Sequence, residues 1–166
     1  MKEIPKIYKF KSEKDSRGFF SKLLSGRNNK KILKNEKILE VNYSYNKYIG
    51  TIRGMHYQIG KFKEKKIIFC LKGKILDVSI NLEKKTKNKK IYKFILEEKK
   101  NSFLVIPKNY AHGYQVLKKD TTLIYFHTME YNKKYERTIN PMRNELIEKI
   151  KWPLKVTKIS KKDKAS

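Results

Sequence analysis

The chain has 166 residues, which predicts a single domain over 1–166, and 39% of them are hydrophobic, which excludes a disordered chain. No run approaches the roughly 18 apolar residues of a membrane span, and the start lacks a signal peptide's apolar core, so no membrane segment is expected. The formal net charge of +26 suits polyanions, but 37 of the 42 basic residues are lysines spread from Lys2 to Lys164, and this even distribution argues against a nucleic-acid partner.

Short strands, taken in chain order, dominate the predicted secondary structure. One helical turn is predicted over 19–24 and another over 144–150. Strands are predicted over 37–44, 66–71, 74–82, 91–96, 102–106, 115–117 and 121–128. A polar hairpin loop is predicted over 84–90, and the lysine-rich tail 161–166 has the composition of a solvated segment. Short strands at this spacing predict an antiparallel sandwich or barrel, and a jelly-roll barrel fits best.

The single cysteine, Cys70, lies in an apolar run, Ile-Ile-Phe-Cys-Leu. One cysteine excludes an internal disulfide and is typical of the reducing cytoplasm, which is where we expect this protein. The apolar neighbours predict a buried thiol and not a nucleophile.

Two segments carry residues suited to proton transfer. Residues 53–58 (Arg-Gly-Met-His-Tyr-Gln) contain His56, and residues 106–114 contain His112, which are two of the three histidines in the chain. Histidine titrates near neutrality and is the most frequent general acid or base. On composition alone, either residue could equally be a histidine of the core or of a turn.

A metal site in a barrel of the cupin type needs clustered histidines, usually two on alternate positions of one strand, with a carboxylate. Neither His-x-His nor His-x3-His occurs in the chain, so we expect no metal. Metal-free chemistry is better supplied, with His56 as a base, Lys66 as a cationic stabiliser and Tyr125 as a proton donor. Since Lys66 is one of 37 lysines and Tyr125 one of 11 tyrosines, a purely structural role for either stays open at this point.

Six motifs follow one another in the chain, at 15–20, 50–58, 73–78, 106–114, 152–153 and 159–163. Together they resemble the dTDP-4-dehydrorhamnose 3,5-epimerase family of cupin-like nucleotide-sugar epimerases. Each motif is weak by itself, but six in register over nearly the whole chain form a specific signal. The resemblance implies an all-β, cupin-like jelly-roll barrel with a few short helices, and an isomerase that requires no cofactor.

The resemblance also implies roles for individual residues. His56 matches the family's base, and Asp163 matches the aspartate that orients it, so the tail would fold back onto the barrel. Tyr125 matches the opposing acid, and Lys66 matches a lysine that stabilises the developing enolate. Asp77 matches an inward strand aspartate that orients a histidine. The implied substrate-binding residues are Arg17, Phe20, Asn42, Ser44, Arg53, His112 and Tyr131, of which the arginines would hold the sugar nucleotide and its diphosphate.

The predicted function is therefore the inversion of C3, C5 or both in a nucleotide-linked 4-keto-6-deoxy sugar, by a cytoplasmic homodimer that serves surface polysaccharide synthesis. dTDP is the expected nucleotide. Three residues, Lys22, Glu40 and Glu130, depart from the family pattern, so the identity of the nucleobase in the substrate stays open. The alternative is a non-catalytic cupin-like module that binds sugar nucleotides or polyanions, against which the complete set of His56, Tyr125 and Asp163 argues.

Overall fold

A computed structural model describes residues 3–24, 26–83 and 89–165, with the backbone alone described for 26–29. The predicted loop over 84–90 falls mostly outside this part of the chain. The strands are β1 (Lys6–Lys9), β2 (Ser12–Asp15), β3 (Gly18–Ser21), β4 (Glu40–Asn46), β5 (Ile52–Gln58), β6 (Lys66–Lys72), β7 (Lys74–Asn81), β8 (Ile91–Glu97), β9 (Ser102–Ile106), β10 (Tyr110–Val116), β11 (Thr121–His127) and β12 (Glu136–Thr138). The helices are α1 (Gly26–Leu33), α2 (Asn144–Ile150) and α3 (Lys161–Lys164). No helix among these residues has the length and apolar character needed to cross a membrane.

The strands form two five-stranded sheets and a separate hairpin. The first sheet has the order β1-β9-β6-β11-β4, the second has the order β12-β5-β10-β7-β8, and β2 pairs only with β3. All the pairs are antiparallel, and the chain crosses repeatedly from one sheet to the other, as in a jelly roll. The predicted all-β, cupin-like jelly-roll barrel is confirmed.

Alternation along the strands divides the apolar side chains between the barrel interior and its two outer faces. Ile68 of β6 is buried in the interior cluster, whereas Ile67 and Phe69 on the same strand pack outward beneath α1. On the second sheet, Val78 packs outward with Ile150 of α2. Each such side chain, fully removed from water, stabilises the fold by about 1.5–3 kcal/mol. Helices α1 and α2 therefore cover the outer faces, and the site lies between the sheets beside the interior apolar cluster.

The strand predictions hold best where a short apolar run is bounded by polar or turn residues. The strand at Ser102–Ile106 is confirmed at both ends, and the helical turn at 144–150 is confirmed as α2. The helical turn predicted over 19–24 is wrong, because Gly18 takes a positive φ of 133° and starts the hairpin strand β3. The strand predicted at 115–117 begins earlier, at Tyr110, where inward polar side chains interrupt the apolar pattern.

The environment of Cys70 agrees with the prediction of an inert thiol, although the side chain is only partly buried. Its Sγ lies 3.3 Å from the carbonyl oxygen of Lys72, to which it donates. Burial raises the pKa of the Cys70 thiol to about 12, so almost none of it is thiolate at neutral pH.

Two glycines allow the motif strands β5 and β10 to approach closely. A Cβ on Gly54, whose φ is +106°, would lie 2.6 Å from the Cα of Gly113, and a Cβ on Gly113 would lie 2.7 Å from the carbonyl oxygen of Arg53. With both side chains absent, His56 and His112 become direct neighbours across the two strands. The glycines of the two motifs therefore place the two motif histidines on one wall of the barrel.

Candidate active site

A cavity of about 580 Å³ lies between the two sheets and is called the main cavity below. Predicted site residues that line it are His56, Lys66, Tyr125, Asp163, Asn42, Ser44, Arg53 and His112. A side cavity of about 360 Å³ adjoins it, is lined by Tyr131 and shares Asn42, His56, Lys66 and His127 with the main cavity. The barrel thus brings most of the predicted site residues to one place.

His56 of β5 pairs with the buried carboxylate of Asp163. Its Nε2 donates to Asp163 Oδ1 over 2.7 Å, and the backbone N–H of Gly54 donates to Asp163 Oδ2 over 3.2 Å. Burial raises the pKa of the Asp163 carboxyl, but the hydrogen bonds from His56 and from the Gly54 N–H outweigh it and hold that pKa below its usual range. Asp163 is therefore ionised at neutral pH and orients His56, which leaves Nδ1 to accept a proton.

The segment that carries Asp163 docks along β5. Lys158 forms a parallel bridge with Thr51, and its carbonyl oxygen accepts from the Ile52 N–H over 2.8 Å. Helix α3 then begins after Ser160, whose Oγ accepts from the Asp163 N–H over 3.1 Å as an N-cap. The capped turn directs Asp163 into the barrel, as the expected fold-back of the tail requires, while Lys161, Lys162 and Lys164 are exposed as the composition suggests.

Lys66 of β6 reaches the same region from the first sheet. Its Nζ donates to the carbonyl oxygen of His56 over 3.3 Å and lies 3.3 Å from Glu64 Oε1. The side chains of Lys66 and Glu64 are both only 8% exposed. A fixed ammonium in such a partly desolvated place stabilises negative charge that develops nearby.

Tyr125 of β11 lines the main cavity from the sheet opposite His56. Its ring meets that of His112 edge to face, with the ring centroids 6.3 Å apart. Burial raises the pKa of the Tyr125 hydroxyl well above its usual value, and the neighbouring Tyr114 and Asp77 raise it further. Tyr125 therefore keeps its proton at neutral pH and can donate it.

His112 of β10 lies beside a second carboxylate. Its Nδ1 is 2.9 Å from Asp77 Oδ2, although the two atoms are not aligned as a regular hydrogen bond. Burial lowers the pKa of His112, and the positive charge of Lys66 acts in the same direction, against the raising effect of Asp77. His112 is therefore neutral at physiological pH and can exchange hydrogen bonds with a bound ligand.

Arg53 is held in place by an amide. Its Nε donates to Asn46 Oδ1 over 2.8 Å, and the Tyr114 hydroxyl donates to the same oxygen over 3.2 Å. Ser44 Oγ lies 3.2 Å from the Tyr114 hydroxyl. Since Nε is already bound, the two terminal nitrogens of the guanidinium remain for an anionic ligand in the main cavity.

The side cavity has an ordered polar rim. Glu40 Oε1 accepts from Asn42 Nδ2 over 2.5 Å, and Glu40 Oε2 accepts from the Tyr131 N–H over 2.7 Å. The Tyr131 hydroxyl donates to Glu136 Oε2 over 2.7 Å, and Lys162 Nζ donates to the same oxygen over 2.5 Å. Glu40, where the resemblance expects a glutamine, is thus fully engaged in the wall of the side cavity.

Arg17 and Phe20 are the predicted site residues that this fold does not bring to the cavities. Both lie on the β2–β3 hairpin and line neither cavity. Arg17 binds Asp15 through Nη2 and Nε, at 2.5 Å and 3.1 Å, and the Phe20 side chain is exposed. Within one chain these two residues point to a surface instead of the pocket.

Residues of the site that the reasoning from sequence missed include Asn46, Tyr114, Glu64 and His127, and also Lys158 and Lys162 of the main cavity. The first two and His127 had an available signal, because each lies two residues beyond a predicted site residue on the same strand, after Ser44, His112 and Tyr125. Glu64 lies before strand β6 and not on it, so strand alternation gives no reason to place its side chain in the site.

Across the described ranges, no three His, Cys, Asp or Glu side chains are arranged to hold a metal ion. The three histidines of the chain each lie 2.7–2.9 Å from a carboxylate oxygen, in the pairs His56–Asp163, His112–Asp77 and His127–Glu64. The expectation that the site needs neither metal nor cofactor stays a prediction.

Fold and site together define a class, that of cupin-like barrels with acid–base groups on both walls of one pocket.

Comparison with known proteins identifies the family. A family model described as dTDP-4-dehydrorhamnose 3,5-epimerase matches residues 3–166. The dTDP-4-dehydrorhamnose 3,5-epimerase of Shigella flexneri is 30% identical over 169 residues, which cover 97% of this chain and 90% of that protein. The chain belongs to the dTDP-4-dehydrorhamnose 3,5-epimerase family. The resemblance inferred from the six motifs is therefore confirmed, as is the prediction of an isomerase that acts as a nucleotide-sugar epimerase.

Solved structures agree with this assignment. The dTDP-4-dehydrorhamnose 3,5-epimerase of Bacillus anthracis, with TDP and PPi bound, superposes with a TM-score of 0.89 at 28% identity, covering 97% of this chain and 91% of that one. The dTDP-6-deoxy-D-glucose-3,5-epimerase of Legionella pneumophila, in complex with dTDP-4-keto-L-rhamnose, has a TM-score of 0.84 at 29% identity, covering 96% and 84%.

Proposed function

We propose that the protein inverts C3, C5 or both in a dTDP-linked 4-keto-6-deoxy sugar, by proton transfer through an enolate. One observation carries this proposal, namely that a histidine–carboxylate pair and a protonated tyrosine line the same cavity from facing sheets. His56 with Asp163 belongs to the second sheet and the C-terminal segment, and Tyr125 belongs to the first sheet. The ligands named for the Bacillus anthracis and Legionella pneumophila structures support the choice of nucleotide.

The first step is removal of a proton from a carbon next to the keto group. The C4 carbonyl acidifies this C–H bond, Nδ1 of His56 takes the proton, and the electron pair of the bond moves to the C4 oxygen as an enolate. The ammonium of Lys66 stabilises the charge that forms on that oxygen. Asp163 stabilises the imidazolium that His56 becomes in the same step.

The second step returns a proton to the opposite face of the same carbon. The enolate electrons re-form the carbonyl, and the carbon takes a proton from the Tyr125 hydroxyl, which inverts the centre. Because burial keeps Tyr125 protonated until this moment, the acid is loaded when the enolate forms. Arg53, Lys158 and Lys162 line the main cavity and provide the cations for the diphosphate.

Deuterium uptake from D2O, followed by NMR on dTDP-4-keto-6-deoxyglucose, tests the proposal. We expect exchange at C3, C5 or both with the native protein and none with His56→Ala, because the base is missing. As a matched control, Tyr110→Phe removes a buried hydroxyl that contacts Asn81 instead of the cavity, and should exchange normally. Native-like exchange by His56→Ala would overturn the assignment of the base.

The same assay with GDP- and CDP-linked 4-keto sugars identifies the nucleotide. Lys22, Glu40 and Glu130 depart from the family pattern, so the specific alternative is a substrate that carries a nucleobase other than thymine. Absence of exchange with all three nucleotides would favour the non-catalytic binding module.

We further propose that the active form is a homodimer. Strand β4 is a free edge of the first sheet, with Tyr43 and Tyr45 exposed on it, and the hairpin exposes Phe19 and Phe20 at 70% and 65%. An exposed sheet edge and a group of exposed aromatic rings are the features of an interaction surface. In such a dimer the hairpin would carry Arg17 to the cavity of the partner subunit, which accounts for its position outside its own cavity.

The cellular setting that we propose is the cytoplasm, with the product used for surface polysaccharide synthesis. The free thiol of Cys70 supports a reducing compartment. Fractionation of cells that express the tagged protein, and sugar analysis of the surface polysaccharide after deletion of its gene, test the two parts separately.

A further inference from the structure

His127 and Glu64 form a histidine–carboxylate pair that the proposed mechanism does not use. Nδ1 of His127 donates to Glu64 Oε2 over 2.9 Å, and the two side chains are 12% and 8% exposed. His127 lies two residues after Tyr125 on the same strand, with the ring centroids 6.1 Å apart. It lines both cavities, so the pair stands at their junction.

The second oxygen of Glu64 is directed at Lys66. Oε1 lies 3.3 Å from Lys66 Nζ, which also donates to the carbonyl oxygen of His56 over 3.3 Å. Burial raises the pKa of the Glu64 carboxyl, but the hydrogen bond from His127 and the charge of Lys66 outweigh it, so the pKa lies below its usual range. Burying a carboxylate is costly unless each oxygen has a donor, and here each has one.

This arrangement leaves one donor on the ammonium. A lysine ammonium has three N–H groups, of which one faces Glu64 and one faces His56. The direction of the third is then set by the other two. A lysine with a flexible four-carbon stem would otherwise sample many orientations, and each would place the charge differently.

The pair is itself braced from the rim. Nε2 of His127 faces Asn42 Nδ2 at 3.5 Å, and that amide donates to Glu40 over 2.5 Å. A continuous series of polar contacts therefore runs from Glu40 through His127 and Glu64 to Lys66, along the wall that separates the two cavities. His127 fixes the rotation of the Glu64 carboxylate, because it occupies the oxygen that Lys66 does not use.

We propose that Glu64 and His127 are positioning residues, which aim the third N–H of Lys66 at the C4 oxygen of the substrate. The proposal rests on the proposed function, since it assumes that Lys66 stabilises the enolate. Glu64 and His127 would then affect kcat only through Lys66. Glu40, which departs from the family pattern, belongs to the same series of contacts through Asn42 and His127.

A double-mutant cycle tests the proposal. We expect Glu64→Gln to lower kcat about 10-fold and His127→Gln about 3-fold, with KM within about 2-fold, because the charge of Lys66 is present but poorly aimed. In a Lys66→Gln background, neither substitution should lower kcat further. Glu98→Gln, which breaks the Lys118–Glu98 pair outside both cavities, is the matched control and should change nothing. Effects that add in the Lys66→Gln background would show that the pair has only a structural role.

A second measurement is independent of turnover. In ¹⁵Nζ-lysine NMR, an ammonium held by two fixed partners should give a resolved, slowly exchanging signal, which Lys66→Gln would remove and thereby assign. We expect this signal to broaden or vanish in Glu64→Gln and in His127→Gln. Its persistence in both variants would overturn the positioning role, even if the native protein epimerised none of the substrates. Loss of the signal together with an inactive native protein would instead retain the positioning role and reject the proposed reaction.

Discussion

The main cavity and the β2–β3 hairpin distribute polar and apolar groups in opposite ways. Inside the barrel, the three histidines of the chain are each paired with a carboxylate, next to Lys66 and Arg53. On the hairpin, in contrast, two phenylalanine rings stand in solvent. Buried charges are tolerated only when they are paired, and exposed aromatic rings are unusual unless something covers them.

The contrast shows which part of the molecule is complete in one chain. The proposed acid–base groups are already held by partners within the fold, so the proposed chemistry needs no rearrangement of the barrel. The hairpin and strand β4, in contrast, leave aromatic rings exposed within one chain, and we propose that these rings are covered in an assembly.

The largest effect is expected at the acid. Tyr125→Phe should lower the rate of inversion by about 100- to 10,000-fold, because the proton donor on one face is lost. Exchange of deuterium at the carbon served by His56 should continue, since the base is intact. NMR separates the two, as exchange with retained configuration and exchange with inversion give different products. Equal loss of both would show that Tyr125 is needed before the enolate forms.

The second largest effect is expected at Asp163, the partner of the proposed catalytic base His56. Asp163→Asn should lower kcat by about 100-fold, because an amide cannot stabilise the imidazolium of His56. Asp120→Asn, which alters a surface carboxylate that accepts from Tyr45, is the control and should be active. Unchanged turnover in Asp163→Asn would mean that the buried carboxylate serves only to dock the C-terminal segment.

The same substitution sharpens the comparison through stability. The folded-state pKa of Asp163 is depressed, so its ionised form contributes stability above the unfolded-state pKa, near 4, and this contribution is lost as pH falls through the folded-state value. Denaturant titrations of the native protein and of Asp163→Asn should therefore differ at pH 6, and the difference should shrink as the pH falls below the unfolded-state pKa. A difference that grows on acidification would contradict the ionised, paired state.

The smallest effect is expected at the hairpin. The double change Phe19→Ser with Phe20→Ser should convert the dimer to a monomer and lower activity about 10-fold, without unfolding the barrel, because both rings are exposed within one chain. Ile95→Ser, which changes an exposed apolar residue on the edge strand of the other sheet, is the control. Sedimentation velocity measures the outcome. A native protein that is monomeric and fully active would remove the dimer proposal.

The sequence predicts the barrel well where its pattern is local. Strand β9 is a short, continuous apolar run, Phe-Leu-Val-Ile after Ser102, with polar residues before it and Pro107 after it, which indicates a buried strand and its ends. The sequence predicts a helical turn over 19–24, where the structure has strand β3 of the hairpin. The adjacent Phe19 and Phe20 do not show the alternation of apolar and polar residues that would indicate a strand. The role of Asp163 came from resemblance alone, because its neighbours are lysines that suggest a solvated tail.

Contacts between distant residues were the main omission. Glu64 and His127 are 63 residues apart and meet only because β6 and β11 are neighbours in the first sheet. Nothing in the local pattern around Glu64 distinguishes it from the other acidic residues of the chain. Pairing of this kind follows from register, which a single sequence determines only after the order of the strands is known.

The docking of the C-terminal segment on β5 has a consequence for how activity responds to mild stress. The segment 155–165 joins the barrel through the backbone hydrogen bonds from the Ile52 N–H to Lys158 and from the Thr157 N–H to Gly50. The Gly54 N–H adds a hydrogen bond to the Asp163 carboxylate. Such a unit opens at a lower free energy than the whole fold. Each opening would separate Asp163 from His56 while leaving both sheets intact. The rate of turnover would then depend on this local opening equilibrium, whereas circular dichroism would follow global unfolding. With rising denaturant or temperature, activity would therefore be lost before the secondary structure.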